Sequence, residues 1–279
     1  MQVQSMHFKA RAGQKLADQR LQQTMKKFST KFVGARVTAI AELDDFEGTR
    51  DAAIERRMRA IENLDVWLDI FEQEATRRGA TVLYAETAEQ ASKLVVEIAK
   101  KHEVKKVIKS KSMVSEECSL NDALEGAGVQ VVETDLGEYI LQLAKEPPSH
   151  IIAPVIHKGR EEIADLFAEK HRLPRQSEPA ALTREAREQL RGHFLTADMG
   201  ISGANFVVAE TGSTVIVTNE GNGRMTTTLP RVHVAITGIE KVVATREDLT
   251  TLLRLLPRSA TGQSITNYIS ITSGTAEAG

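Results

Sequence analysis

The stretch from Asp198 to Lys241 constrains the fold of this chain most, because it combines glycine-rich turns with short apolar runs. It holds six of the eighteen glycines. Its apolar runs predict three strands, at Phe206–Ala209, Val215–Val217 and Val232–Ile236. Turns of Gly, Asn and Ser between buried strands let the backbone approach a ligand closely and point N–H groups at an anion. The alternative is a set of plain hairpin turns, since Asn222 followed by Gly223 is the commonest hairpin signal.

Length, charge and cysteine content limit the classes of protein to which this chain can belong. The chain has 279 residues, a formal net charge of −2 and one cysteine. Such a balance of charge indicates neither a nucleic-acid partner nor a membrane surface. The N-terminus lacks the apolar core of a secretory signal, and no apolar run approaches the roughly 20 residues of a membrane span. We therefore expect a cytoplasmic protein. Because Cys118 is the single thiol, we predict no disulfide, no metal and no cysteine-ligated cluster within this chain.

The first 79 residues predict helices. Apolar residues recur at helical spacing in two runs: Leu21, Met25, Phe28 and Phe32, then Ile54, Met58, Ile61, Leu64, Leu68, Phe71 and Ala75. Gly79 follows the second run, where a helix is expected to stop. We predict a helical N-terminal extension over residues 1–79. Its apolar face exceeds what a small sheet edge needs, so we expect contact with a partner or with a second copy of the chain.

Strands and helices alternate from Thr81 onward. The predicted strands are Thr81–Ala85, Val104–Lys109, Val129–Val132 and Ile151–Ile156. Thr87, with Gln90 three residues later, predicts a capped helix start, and Thr245 predicts another helix, which Pro257 ends. Alternation of this kind predicts a parallel or mixed sheet covered on both faces. The sequence thus predicts one α/β domain over residues 80–272.

The first candidate site follows the strand Val104–Lys109. It consists of Lys109, Ser110, Lys111 and Ser112. Ammonium and hydroxyl groups beside a helix N-terminus can bind a phosphate or a carboxylate. The alternative is a pair of solvated lysines, and the spacing is not that of a P-loop.

A second candidate is the turn that begins with Glu210. A carboxylate held beside turn amides can act as a base, a nucleophile or a hydrogen-bond acceptor. We take Glu210 as the candidate catalytic residue, with Thr211 and Gly212 as ligand contacts. The alternative is that Glu210 only ties neighbouring loops together through backbone N–H groups.

Further candidate ligand contacts lie at the other turns of the glycine-rich stretch: Gly203, Asn205, Asn219, Glu220, Arg224, Glu240 and Lys241. Arg224 can bind a substrate carboxylate or pair internally with Glu220 or Glu240. Two histidines, His150 and His157, can line a cleft with Asp135 and Glu138, or serve as hydrogen-bonded structural residues. Because parallel strands end at one edge of a sheet, we predict that the turns around Glu210 and Arg224 converge with Lys111 on one anion-binding cleft.

The chain also contains the phrases KSKSMVSEE, GISGANFVVAETGS, NEGNGR, GIEK and RSATGQSITNY. Together they resemble the lactate utilization protein B family, whose shared domain is called the LUD domain. The resemblance covers most of the chain. It implies a three-layer α/β sandwich similar to the ribose-phosphate isomerase and CoA-transferase group, in a system that oxidises L-lactate to pyruvate.

The resemblance also implies cofactors and partners. In full-length family members the domain precedes a ferredoxin-like segment whose cysteines bind two 4Fe–4S clusters, and other lactate utilization subunits are partners. This chain finishes at Gly279 without those cysteines. The resemblance therefore implies a fragment, a truncated gene product or a version that has lost electron transfer.

Two functions stay open. The first, which the resemblance implies, is a substrate- or partner-binding domain of a lactate-oxidising iron–sulfur complex. The alternative is a stand-alone enzyme acting on a small organic anion, with Glu210 as base or nucleophile. A dinucleotide oxidoreductase is not expected, since no Gly-x-Gly-x-x-Gly opens a helix after a strand.

Overall fold

A computed structural model describes residues 5–150, 153–266 and 268–275. Within them the α-helices are α1 (Phe8–Ala17), α2 (Gln19–Ala41), α3 (Phe46–Glu62), α4 (Leu64–Arg77), α5 (Ala88–Lys101), α6 (Met113–Glu117), α7 (Leu120–Gly126), α8 (Leu136–Ala144), α9 (Arg160–His171), α10 (Pro179–Thr196), α11 (Asn222–Thr228) and α12 (Arg246–Thr261). The strands are β1 (Lys106–Lys109), β2 (Gln130–Glu133), β3 (Met199–Ser202), β4 (Phe206–Val208), β5 (Ser213–Thr218), β6 (Val232–Ala235), β7 (Val242–Val243) and β8 (Tyr268–Ser273). Short 3₁₀ helices lie at Ser5–His7, Ala209–Thr211 and Ile239–Lys241.

The chain folds as two compact units, each with its own four-stranded sheet. The first unit comprises Met1–Leu21, Ala85–Gly203 and Asn222–Ile236. The second comprises Gln22–Tyr84, Ala204–Gly221 and Thr237–Gly279.

The sheet of the first unit is parallel throughout, in the order β2-β1-β3-β6. Successive residues of a strand face opposite sides, and both sides are apolar here. Val107 packs in a cluster with residues of α5 and α7, such as Val95 and Leu124. Its neighbour Ile108 packs in a second cluster with residues of α8, α9 and α10, such as Phe167. Helices therefore cover both faces, which makes this unit a three-layer sandwich.

The sheet of the second unit is mixed, in the order β7-β4-β5-β8. Strand β5 is antiparallel to β4 and β8, whereas β4 is parallel to β7. Val208 packs with Leu249 of α12 on one face, and Val207 packs with Ala60 of α3 and Trp67 of α4 on the other. The predicted α/β sandwich is therefore confirmed. Helices α3 and α4 form a layer of this unit, and a division at residues 79 and 80 stays a prediction from sequence.

The apolar run from Ile54 to Ala75 differs from the single helix predicted for it. It forms two helices that meet at Asn63, whose backbone is not helical. Ile54, Met58 and Ile61 are about half exposed, because the face of α3 that packs inward carries small residues instead. Periodicity alone identified the helices but not which side of the first one is buried.

Several local predictions were also wrong. Thr81–Ala85 is irregular. Residues 154–156 of the strand predicted at 151–156 lie in a turn, and Ile151 and Ile152 lie outside the described residues. Pro257 lies inside α12 rather than at its end. A proline removes only one N–H from a helix, and the carbonyl oxygen of Pro257 still accepts a hydrogen bond from Gln263 N at 3.2 Å. Asn222 begins α11 instead of a hairpin.

Glycine at position 200 explains how α11 packs. A Cβ at Gly200 would lie 1.9 Å from the carbonyl oxygen of Thr226, so this helix rests directly on the backbone of β3. In the part of the chain that the structure describes, no helix has the length and apolar character that crossing a bilayer demands.

Candidate functional site

A cleft of about 730 Å³ opens in the first unit where β1 and β2 end. Its lining comes from α6, α7, α8 and the segment that follows α8. In open parallel sheets, ligands bind outside the carboxyl ends of the strands, close to the point where the strand order reverses. The order reverses between β1 and β3. The cleft lies next to this point, at the carboxyl ends of β1 and β2, and so on the ligand-binding edge of the sheet.

The floor of the cleft is an ion cluster around Lys109. Its Nζ lies 2.8 Å from Oε1 of both Glu116 and Glu133, and 3.1 Å from Ser115 Oγ. The Lys109 side chain is only 1% exposed. Burial lowers the pKa of Lys109, but the carboxylates of Glu133 and Glu116 together outweigh it, so the pKa lies above its ordinary value. The three ammonium hydrogens are used, and an anion at Lys109 would have to displace one of these partners. Anion binding by Lys109 stays a prediction.

Glu133 is the most buried acid of this cluster. Its Oε1 also accepts a hydrogen bond from Asn121 Nδ2 at 2.8 Å, whereas its Oε2 has no hydrogen-bond partner among the residues described. Burial raises the pKa of Glu133, against the effect of Lys109. This carboxyl group thus depends on the lysine for its charge.

Lys111 and Glu138 form a second, more accessible pair beside the cleft. Lys111 Nζ lies 3.1 Å from Glu138 Oε1, and their side chains are 29% and 11% exposed. Burial and the neighbouring Asp135 raise the pKa of Glu138 to about 8, although Lys111 opposes this. The raised pKa favours the protonated form of Glu138, which leaves the charge of Lys111 less than fully offset. A carboxyl group with a pKa near 7 is suited to acid–base chemistry.

Two predicted contacts from distant parts of the sequence meet at this edge. Ser112 caps α6 by accepting from Ser115 N at 3.2 Å, and a Cβ built on Gly203 would lie 3.1 Å from Ser112 Oγ. Ser110 is 3% exposed and donates its backbone N–H to Ile201. The register of β1 beside β3 brings these residues together.

Glu210 lies in the second unit and stabilises the start of α12. Its Oε2 accepts from the backbone N of Arg246 at 2.9 Å, and the Arg246 guanidinium lies 3.5 Å from Oε1. The backbone hydrogen bond, followed by the guanidinium, holds the pKa of Glu210 below its ordinary value. The neighbouring hollow of about 510 Å³ also contains Thr245 and Thr250. This geometry agrees with the alternative that Glu210 joins neighbouring loops through a backbone N–H group. A catalytic role for Glu210 stays a prediction.

The other turn residues near Glu210 also make contacts within the fold. Thr211 Oγ1 lies 2.7 Å from Ser213 Oγ, and Asn205 Oδ1 accepts from Val217 N at 2.8 Å. Gly212 has φ +58°, and a Cβ there would lie 2.2 Å from the backbone nitrogen of Ala75 in α4. These contacts fix the turns of the mixed sheet.

The remaining predicted contacts lie at exposed positions. Lys241 Nζ lies 3.3 Å from Glu240 Oε1, Asn219 and Glu220 follow β5, and Arg224 lies on α11. The predicted contacts divide between the two units. Lys109, Ser110, Lys111, Ser112, Gly203 and Arg224 belong to the first, and Asn205, Glu210, Thr211, Gly212, Asn219, Glu220, Glu240 and Lys241 belong to the second. Their convergence on one cleft stays a prediction.

The sequence identified only some of the residues that line the cleft. Of the four residues for which cleft lining was one alternative, Glu138 and His150 line this cleft, whereas Asp135 and His157 are not part of its lining. Glu133, Glu116 and Asn121 were not predicted as site residues. Glu133 ends a strand one position after an apolar run, which is the same signal that singled out Lys109.

Iron–sulfur clusters do not fit the residues of this chain. A 4Fe–4S cluster needs about four thiolate ligands, and Cys118 is the single cysteine. Burial raises the pKa of the Cys118 thiol, which disfavours the thiolate. Among the described residues, no group of three or more His, Cys, Asp or Glu is placed to hold a metal ion.

Comparison with known proteins gives a consistent family match. The LUD domain profile matches residues 68–279. Lactate utilization protein B of Oceanobacillus iheyensis is 41% identical over 274 residues, which are 98% of this chain and 57% of the relative. The proteins of that name from Bacillus thuringiensis (strain Al Hakam) and Bacillus cereus (strain AH187) are 42% identical over 271 residues, 97% of this chain and 57% of each relative. The chain thus spans a little over half the length of these curated relatives. No solved structure matches it at a significant level.

Proposed function

This chain belongs to the LUD domain family, and we propose that it serves lactate utilization as a domain that binds a small 2-hydroxy acid. The observation that carries the proposal is its 41% and 42% identity to proteins named Lactate utilization protein B over nearly the whole chain. The likeness covers 57% of each relative, so the proposal concerns a domain and not the complete activity.

The pair of Lys111 and Glu138 supports this proposal best. A 2-hydroxy acid presents a carboxylate and a hydroxyl group on neighbouring carbons. The ammonium of Lys111 would bind the carboxylate, and Glu138, 3.1 Å from that ammonium, would face the hydroxyl group. Because the pKa of Glu138 is raised to about 8, its carboxyl group can form a hydrogen bond with that hydroxyl group near neutral pH.

Other acids lining the cleft do not exclude an anion. Glu116 and Glu133 pair with Lys109, and Glu146 pairs with Lys158 at 2.7 Å. Asp122 and Glu125, which also line the cleft, are exposed, so solvent and salt screen their charges.

The stand-alone enzyme with Glu210 as base or nucleophile has less support. Its carboxylate already accepts the first N–H of α12, and its lowered pKa makes it a weak base. We therefore favour the cleft at β1 and β2 for binding.

Isothermal titration of the full chain with L-lactate, pyruvate and acetate tests the proposal. We expect L-lactate to bind more tightly than acetate, since acetate lacks the hydroxyl group. Lys111→Ala should weaken L-lactate binding by about 1.5–3 kcal/mol, or roughly 10–150-fold, because a hydrogen bond to a charged group is lost. Glu138→Gln should reduce the preference for L-lactate over acetate.

Lys93→Ala is the matched control, because Lys93 lies on α5 of the same unit and is 76% exposed. It should leave the affinity unchanged. Equal binding of L-lactate by the wild type and by Lys111→Ala, or no binding by either, would contradict the proposal.

A further inference from the structure

A hydrogen-bonded set of side chains at the cleft takes no part in the proposed binding of a hydroxy acid. Ser149 Oγ lies 2.7 Å from His157 Nδ1, and His157 Nε2 lies 2.8 Å from Glu146 Oε2. The three side chains thus form a hydrogen-bonded series of hydroxyl, imidazole and carboxylate, which we name the Ser149 relay. A nucleophile, a base within hydrogen-bond reach and a third group that orients the base are the parts of an activated serine.

The carboxylate fixes the direction of the proton in this relay. Lys158 and His157 hold the pKa of Glu146 below its ordinary value, so Glu146 is ionised and acts as an acceptor. It therefore takes the N–H at Nε2, which leaves Nδ1 of neutral His157 with a lone pair toward Ser149. Ser149 Oγ also donates to the carbonyl oxygen of Pro154 at 3.0 Å, so the hydroxyl proton must turn from this acceptor to His157 Nδ1 before the oxygen can act as a nucleophile.

The position of His157 is fixed from outside the relay. Its carbonyl oxygen accepts from Arg20 Nη2 at 2.8 Å, and the Arg20 guanidinium also pairs with Glu162. A base whose backbone is held in place needs little reorganisation to meet a proton.

Access distinguishes this group from the other serine–histidine pair of the first unit. Ser202 Oγ lies 2.8 Å from His233 Nε2, but Ser202 has 0% exposure, so no substrate can reach it. Ser149 is exposed and lines the same cleft as Glu146. The apolar side chains of Met113 and Leu141, also in the lining, can cover a short acyl chain.

We propose that the Ser149 relay is an acyl-transfer site for small carboxylic esters, an activity separate from hydroxy-acid binding. Ser149 Oγ forms a bond to the acyl carbon and gives its proton to His157 Nδ1. The bond from the acyl carbon to the alcohol oxygen breaks, and that oxygen leaves with the proton from His157. Water then attacks the acyl-serine, His157 takes a proton from it and returns one to Ser149 Oγ, and the free acid departs. The oxidation states of all atoms stay unchanged.

Labelling of the full chain with a fluorophosphonate probe, read by peptide mass spectrometry, tests the relay. We expect one probe per chain, at Ser149, together with hydrolysis of p-nitrophenyl acetate. His157→Gln should slow both reactions by about 100-fold or more, the usual contribution of a general base. Glu146→Gln should slow them less, because the imidazole loses only its orienting partner. Ser29→Ala, at an exposed serine of α2, should change neither.

A second variant covers the case in which His157→Gln disturbs the loop. Ser149→Cys keeps the side chain in place, and its alkylation by iodoacetamide should depend on His157 in the double variant. Labelling at another residue, or equal rates in the wild type and the histidine variant, would show that the relay only fixes the loop. An unchanged alkylation rate in the double variant would lead to the same conclusion.

Discussion

Replacement of Lys109 by methionine should destabilise the first unit strongly. The change keeps an unbranched side chain of similar length and removes an ammonium that contacts two carboxylates at 2.8 Å. One of them, Glu133, is 3% exposed and would be left as a buried acid without a cation. Removal of one partner from a buried ion pair costs about 3–5 kcal/mol, which is the loss that we expect.

The size of this loss should depend on Glu133 and on pH. In Lys109→Met with Glu133→Gln, no buried charge remains unpaired, so the double variant should recover more than half of the lost stability. Burial already raises the pKa of Glu133, and loss of the lysine raises it further. The folded state then binds more protons than the unfolded state, so the single variant should regain stability as the pH falls.

Urea unfolding followed by far-ultraviolet circular dichroism measures the effect. Trp67 is the single tryptophan and lies in the second unit, so its fluorescence reports that unit separately. A loss below about 1 kcal/mol, with no dependence on Glu133, would show that Glu133 does not need the cation of Lys109. Lys109 would then be free to bind an anion, as the sequence suggested.

Three further outcomes follow from the same contacts. Gly212→Ala should destabilise the second unit in thermal unfolding, because Gly212 has φ +58° and a Cβ there would lie 2.2 Å from a backbone nitrogen of α4. Gly34→Ala, the control, lies in open space on α2 and should stabilise the same unit by up to about 1 kcal/mol. Glu210→Ala should lower stability more than Glu210→Gln, whose amide oxygen still accepts the helix N–H. The stability advantage of the wild type over Glu210→Gln should shrink as the pH falls through the lowered pKa of Glu210, because protonation removes the charge that faces Arg246. The pKa of Glu138 is raised from 4.5 to about 8 by folding, so wild-type stability should fall as the pH rises through that range, and Glu138→Gln should unfold at a higher temperature at pH 9.

Local signals predicted much of the fold. Thr87 caps α5 by accepting from Gln90 N at 3.2 Å, as its spacing indicated, and Thr245 caps α12 by accepting from Asp248 N at 3.1 Å. The parallel strands β1, β2 and β6 lie within or next to apolar runs that predicted strands. Strand β3 was not predicted, because Gly200, Ile201 and Ser202 were interpreted as part of a turn before Phe206. Such signals are short in range, so a single sequence suffices to find them.

The second sheet could not be predicted in the same way. Its strands β5 and β8 pair Val217 with Ile269, which lie far apart in the sequence, and no local pattern encodes that partnership. For the same reason, the sequence did not show that Lys109 is enclosed by Glu116 and Glu133. A lysine after a strand looks alike whether it faces solvent or two carboxylates, and only packing decides.

If Lys111 and Glu138 bind a hydroxy acid together, as we propose, the affinity for L-lactate should depend on the ionisation of Glu138. Isothermal titration between pH 6 and pH 9.5 should show the dissociation constant rising as the pH passes about 8, because ionised Glu138 then neutralises the charge of Lys111. In Glu138→Gln the constant should stay level over this range. A constant that does not change with pH in the wild type, or that rises equally in both proteins, would contradict the account.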